Sequence, residues 1–174
     1  MHELTITAIG RDRPGIVAGV TKVLFELGCN LADCSMTLLR GQFAMIMLLE
    51  APDEVGTEDL NQALRNPATE FDLSIVVREA SSEAGPAPQR PYVVSVYGAD
   101  HPGIVYRLTS ELASRGINVT DLLSRIAGEG IYMMVLDVSL PEELDPKKLA
   151  QDLQEISGEL GVELTFRPEE TAEL

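Results

Sequence analysis

Two stretches of this sequence carry residues able to recognise a small charged molecule. The first is Asp12-Arg13-Pro14-Gly15-Ile16, which recurs as Asp100-His101-Pro102-Gly103-Ile104. Each follows an alternating apolar segment and leads into a helical stripe. It therefore sits at a helix start, where unpaired backbone N–H groups and a partial positive charge favour a carboxylate. Gly15 lets a ligand approach the backbone, Pro14 fixes the helix entry without wasting a donor, and Asp12 can hold an ammonium group. Together these groups suit the two ends of an α-amino acid. The same turn is also a good helix cap that need bind nothing, and its recurrence does not decide between the two readings, because duplication copies structural turns as well.

The second stretch is Gly28-Cys29-Asn30-Leu31, repeated as Gly116-Ile117-Asn118-Val119. Asn30 and Asn118 either satisfy the turn after a helix or offer a ligand an amide that both donates and accepts. The copies differ where Arg13 stands against His101. Arginine holds a carboxylate bidentately at any pH, whereas histidine is only partly charged near neutrality, so the two sites are expected to be unequal. No Ser, Cys or Asp is placed by motif beside either histidine, so no catalytic residues are assigned and His101 reads as a solvated side chain. Cys29 and Cys34 lack a matching second pair, and with two histidines in all a histidine-rich metal site is excluded. No metal and no cofactor is implied.

The elements that position these residues follow from an internal repeat. Gly10 to Val17 returns as Gly98 to Val105 at an offset of 88, which continues through Thr21 and Thr109, Leu24 and Leu112, and Asp33 and Asp121. Farther on the same offset sets Met45 against Met133 and Leu48 against Leu136. Leu4, Ile6 and Ala8 alternate as in a strand, with Tyr92, Val94 and Val96 as counterparts. Ile16, Val17, Val20, Val23, Leu24 and Leu27 form a helical stripe ended by Gly28. Ala32, Cys34, Met36 and Leu38 alternate again and predict a second strand, with Cys34 inward as a buried, reduced thiol. A turn at Arg40-Gly41 (Gly128-Glu129-Gly130 in the repeat) leads to an apolar run, Phe43 to Leu49, that predicts a central strand. Asp145 and Pro146 start a helix carrying Leu149, Leu153, Ile156 and Leu160; Phe71, Leu73, Ile75 and Val77, and later Val162, Leu164 and Phe166, predict the last strands.

Each copy is thus β-α-β-β-α-β. The fold class is α+β: two tandem ferredoxin-like modules, each a four-stranded antiparallel sheet with two helices on one face. The boundaries read as 1–79 for the first domain, 80–91 for a Pro/Gly/Ser-rich linker, 92–168 for the second domain and 169–174 for an acidic, solubilising tail. Met45, Met47, Met133 and Met134 read as core rather than as a promiscuous surface. A module this small has a thin core and open sheet edges, so docking of the copies on each other, and a dimer of chains, would relieve both.

Composition narrows the partners. Acids outnumber bases by 28 to 13, for a formal charge of −15, with no basic cluster, so neither nucleic acid nor an acidic membrane surface is expected. The start, Met1 to Ile6, lacks the basic region and apolar stretch of a signal peptide, which predicts a cytoplasmic protein.

The string Asp-x-Pro-Gly-Ile-Val, then Gly-x-Asn, then Asp33, resembles ACT domains, nearest to the branch found in formyltetrahydrofolate deformylase, bacterial uridylyltransferases and the glycine cleavage system transcriptional repressor group. The resemblance covers both copies. It implies a ligand lying where the turn after the first strand meets the start of the second strand of a neighbouring module. That nominates Asp12, Arg13, Gly15, Ile16, Asn30 and Leu31, with Asp100, His101, Gly103, Ile104, Asn118 and Val119 as their counterparts. It further implies a small effector such as glycine or serine, and a regulated protein partner such as a transcription factor of amino-acid or one-carbon metabolism. Two other readings stay open: a ligand-free protein–protein interaction module, and a detached regulatory subunit of a metabolic enzyme.

Overall fold

The computed structural model describes residues 1–80, 90–128 and 130–169. Most of the expected linker, Glu129 of the second hairpin and residues 170–174 of the expected tail lie outside the described residues. The chain divides into two compact units, 1–84 and 85–174.

In the first unit β1 (His2–Arg11), α1 (Ile16–Glu26), β2 (Asn30–Leu39), β3 (Gln42–Ala51), α2 (Thr57–Ala63), α3 (Arg65–Phe71) and β4 (Leu73–Glu79) follow in order. The second repeats the plan as β5 (Pro91–Ala99), α4 (Ile104–Ser114), β6 (Asn118–Ala127), β7 (Ile131–Ser139), α5 (Pro146–Leu160) and β8 (Val162–Pro168). Both sheets are antiparallel, ordered β2-β3-β1-β4 and β6-β7-β5-β8, so the ferredoxin-like α+β plan holds twice. Among the described residues no helix is long and apolar enough to cross a membrane.

Alternation sets the cores. Leu4, Ile6 and Ala8 of β1 and Phe43, Met45, Met47 and Leu49 of β3 point to one face and are buried under Ile16, Val20 and Leu24 of α1. The second core repeats this with Val94, Val96, Met134, Leu136, Val138, Leu108, Leu112, Leu149 and Leu153. Val17, expected on the buried stripe, is 43% exposed, because the contact stripe of α1 is narrower than the apolar stripe.

Helix ends obey local chemistry. Gly28 adopts φ 71, and the Cys29 and Gly28 amides donate to the carbonyls of Leu24 and Phe25, which satisfies two orphan carbonyls of α1. Gly116 and Ile117 do the same for α4. Asp145 caps α5 by accepting from the Lys147 amide, with Pro146 at its first position. Where α5 is continuous, the first module has α2 and α3, broken at Leu64. Pro67 supplies the reason: it has no N–H to give the Ala63 carbonyl four residues back.

Several expectations need correction. All of β2 is exposed. Cys34, Met36 and Leu38 lie opposite the buried Met47, Met45 and Phe43, so the alternation puts them on the helix-covered face, but this edge strand overhangs the helices. Cys34 is an exposed thiol. Ala32 falls at a bulge between Leu31 and Asp33, a position matched by Thr120 in β6. Phe71 ends α3 rather than starting the last strand. Met133 is 47% exposed on the open face of its sheet, while the other three strand methionines are core. The offset of 88 also fails beyond the hairpin. Gly10 faces Phe43 whereas Gly98 faces Tyr132, so the second hairpin is one residue longer and later positions correspond at 89. Met45 therefore matches Met134, and Phe71 matches Leu160.

Candidate functional site

The turn between β1 and α1 is held by the hairpin beside it. The Asp12 amide donates to the Gly41 carbonyl at 3.0 Å, and the Asp100 amide to that of Gly130 at 3.1 Å. Gly15 and Gly103 are the N-cap residues, at φ 98 and 103, a left-handed conformation that disfavours any other residue. Pro14 thus precedes the cap instead of opening the helix. A glycine N-cap has no side chain to cap with, and among the described residues no backbone N–H donates to the carboxylate of Asp12 or Asp100, so neither aspartate caps its helix. Both carboxylates are exposed, and among the described residues the first-turn N–H groups of α1 and α4 have no side-chain acceptor. Ile16 and Ile104 are buried at 2%, so only their backbone can face a ligand.

Asn30 and Leu31 lie elsewhere. Asn30 opens β2 opposite Glu50, which in turn lies opposite Glu3; Arg11, next to the Asp12 turn, pairs with Gln42. From Glu3 to Arg11 the strand spans about 26 Å at 3.3 Å per residue. The two halves of the expected site therefore stand at opposite ends of one module, and the second module separates Asp100, His101, Gly103 and Ile104 from Asn118 and Val119 in the same way. Within a module they form no common site.

Each half has a partner that its motif does not reveal. The Asn30 amide donates to Glu50 at 3.2 Å, while Asn118 faces Ser139 across the ladder. Phe71 lies over the start of α1: a Cβ on Gly15 would come within 3.4 Å of its ring, and one on Gly19 within 2.7 Å. In the second module a Cβ on Gly103 would meet nothing within 4 Å. His101 instead reaches the end of α5, with Nε2 2.7 Å from the Leu160 carbonyl and Nδ1 3.1 Å from that of Pro102. It is half-buried and tethered, not simply solvated. Arg13 is exposed and makes no ion pair among the described residues. A one-residue gap in the repeat would have set Phe71 against Leu160 and exposed this divergence from sequence.

Two carbonyls facing one imidazole favour the doubly protonated ring, so the Leu160 carbonyl first, then that of Pro102, raise the His101 pKa above its ordinary 6.5. A pKa raised on folding adds stability that is fully present below the unfolded value and is lost as pH rises through the folded one. Thermal melting between about pH 5.5 and 8.5 should therefore show wild type losing stability with rising pH more steeply than His101→Asn. Parallel profiles would mean that the tether carries no charge-dependent stability.

Among the described residues no group of three or more His, Cys, Asp or Glu is placed to hold a metal ion.

Comparison with known proteins places the same features in a wider set. The ACT domain family matches twice, over residues 2–78 and 92–158. The glycine cleavage system transcriptional repressor of Escherichia coli (strain K12) is 34% identical over 124 residues, which cover 71% of this chain and 65% of the repressor. This chain thus matches slightly under two thirds of that relative's length. A UPF0237 protein of Methanopyrus kandleri is 39% identical over 79 residues, or 45% of this chain and 88% of the relative. Among solved structures, an unknown protein from Galdieria sulphuraria matches with a TM-score of 0.82 at 28% identity, covering 97% of this chain and 99% of its own.

Proposed function

This chain belongs to the ACT-domain family, with two modules in tandem and a relationship to the glycine cleavage system transcriptional repressor, and from that premise we propose that it is a non-catalytic, effector-binding regulator. The effector is a small amino acid such as glycine or serine. The observation that carries this reading is the pair of uncapped helix starts, each beside an aspartate whose carboxylate is left exposed and is not spent on the cap. The N–H groups suit the α-carboxylate and the aspartate the ammonium. Because about 26 Å separates the two halves within a module, the Asn30 or Asn118 half comes from a second module, in this chain or another.

Binding then biases how the modules associate, and through that a protein partner, which the relative's name suggests is a transcription factor of amino-acid or one-carbon metabolism. The partner is met by protein–protein contact, since a chain of charge −15 repels nucleic acid. A ligand-free interaction module is the second reading. Its support is the open face of the second sheet, where Tyr97, Leu123, Met133 and Val135 are 40–54% exposed.

A thermal-shift titration of the amino acids, glycine and serine foremost, separates the two. Ligand at about 100 times its Kd stabilises a one-site protein by about 2.7 kcal/mol, a shift of several degrees. The shift should shrink in Asp12→Ala and in Asp100→Ala, and by unequal amounts, given Phe71 over one turn and His101 tethered in the other. No shift at millimolar ligand favours the interaction module.

A further inference from the structure

A different place in the first module points to a second ligand. Between α1 and the α2–α3 pair lies a groove of about 380 Å3, within the range of small-molecule sites. Val23, Leu27 and Pro67 supply apolar surface, Lys22 and Glu70 stand on the rim, and Gly19 closes one side. The second module carries different residues at these positions. Arg107 stands where Gly19 does, Glu159 where Glu70 does, and the two form an ion pair across α4 and α5. Arg115, at the position of Leu27, pairs with both Glu111 and Asp152. The second module thus lays two of its own guanidinium groups across the groove.

The first module keeps the acid and lacks both cations. Glu70 makes no ion pair among the described residues. Lys22 sits 3.7 Å from Glu26 on its own helix, so its charge is answered there and not by Glu70. Phe71 accounts for the glycine at position 19, because any Cβ there would strike its ring, yet the ring leaves the groove open.

We propose that this groove binds a small organic cation, an alkylguanidinium or alkylammonium. Its head takes the place that the Arg107 guanidinium holds in the second module and pairs with Glu70. Its aliphatic arm lies on Val23, Leu27 and Pro67, as long cationic side chains lay their stems on apolar surface. The chain's charge of −15 raises the local concentration of any cation, and the apolar surface selects one that carries an arm.

The test is titration of the full chain with butylguanidinium and butylammonium at about 0.15 M salt, where long-range attraction is screened, followed by calorimetry and amide NMR. Bare guanidinium serves as the control without an arm. Saturable binding with shifts confined to α1, α2 and α3 is expected, at least tenfold weaker for bare guanidinium and in Glu70→Gln. Gly19→Arg/Phe71→Leu, which installs the second module's residues, should abolish it by self-occupation. Glu70 is exposed, so Glu70→Gln keeps the test valid even where the double variant folds poorly. Asp12→Ala should leave this binding intact, which separates its fate from that of the amino-acid site. Absence of saturable binding, survival of binding in Glu70→Gln, or shifts scattered over the acidic surface would overturn the proposal.

Discussion

Gly98→Val is expected to lower the stability of the second module by about 3 kcal/mol, the upper end of what overpacking does in a well-packed core. An ideal Cβ at Gly98 would lie 2.8 Å from Val162 Cγ1 and 3.0 Å from both its Cα and its Cβ. The Cγ1 could turn aside, but the Cα cannot move unless β8 parts from β5, and those strands are paired from Tyr92 to Gly98. A valine brings two further methyl groups into the same gap. At 4–8 °C per kcal/mol for a domain of this size, the melting point should fall by about 10 °C or more. Hydrogen exchange would locate the damage in β5 and β8. Gly103→Ala is the natural contrast: its φ of 103 disfavours a side chain but the space is empty, so only the conformational penalty of about 1 kcal/mol applies. If both variants melt alike, close strand approach is not why position 98 is glycine.

Phe43→Ala should be at least as damaging to the first module, by about 3–5 kcal/mol. The ring is 2% exposed at the hairpin end of β3, opposite Gly10 in β1 and Leu38 in β2. Its loss removes the transfer free energy of a whole aromatic side chain and leaves a void that neighbouring strands cannot close, since their ladders fix them. Domains hold a net stability of only about 5–15 kcal/mol, so this variant is expected to unfold in part at ambient temperature. Urea titration followed by exchange at β1 and β3 amides would measure it. A midpoint change worth under about 1 kcal/mol would show that this end of the core contributes little. Tyr132, the counterpart, is 8% exposed with its hydroxyl 3.5 Å from Met134 Sδ, and Tyr132→Phe should be nearly neutral because that sulfur is a weak acceptor.

What could be read from the sequence depended on whether near neighbours decide the outcome. Strand β1 shows as Leu4, Ile6 and Ala8, and the start of α5 as Asp145-Pro146, because pattern and cap are local. Burial along β2 is not local. Cys34, Met36 and Leu38 alternate correctly, but how far a helix extends over a sheet edge depends on the packing of other elements. The site divides the same way. Asp12, Gly15, Asp100 and Gly103 stand out by type and spacing, whereas their neighbours Phe71 and Leu160 come from the opposite end of each module's chain, and Glu50 reaches Asn30 only through the β2–β3 ladder. The longer second hairpin hid part of this by shifting the repeat by one residue.

The stacking of Phe71 on Gly15 and Gly19 also constrains the order in which substitutions can accumulate. A Cβ at position 19 would lie 2.7 Å from the ring, so the arginine seen at the matching position of the second module requires the ring to shift. A smaller residue at position 71, as Leu160 is at the matching position, removes that contact. That step opens a void and destabilises on its own, by the logic of large-to-small core changes. The two positions are therefore expected to interact non-additively. Exchanging either residue of the pair between modules should thus be worse than exchanging both together.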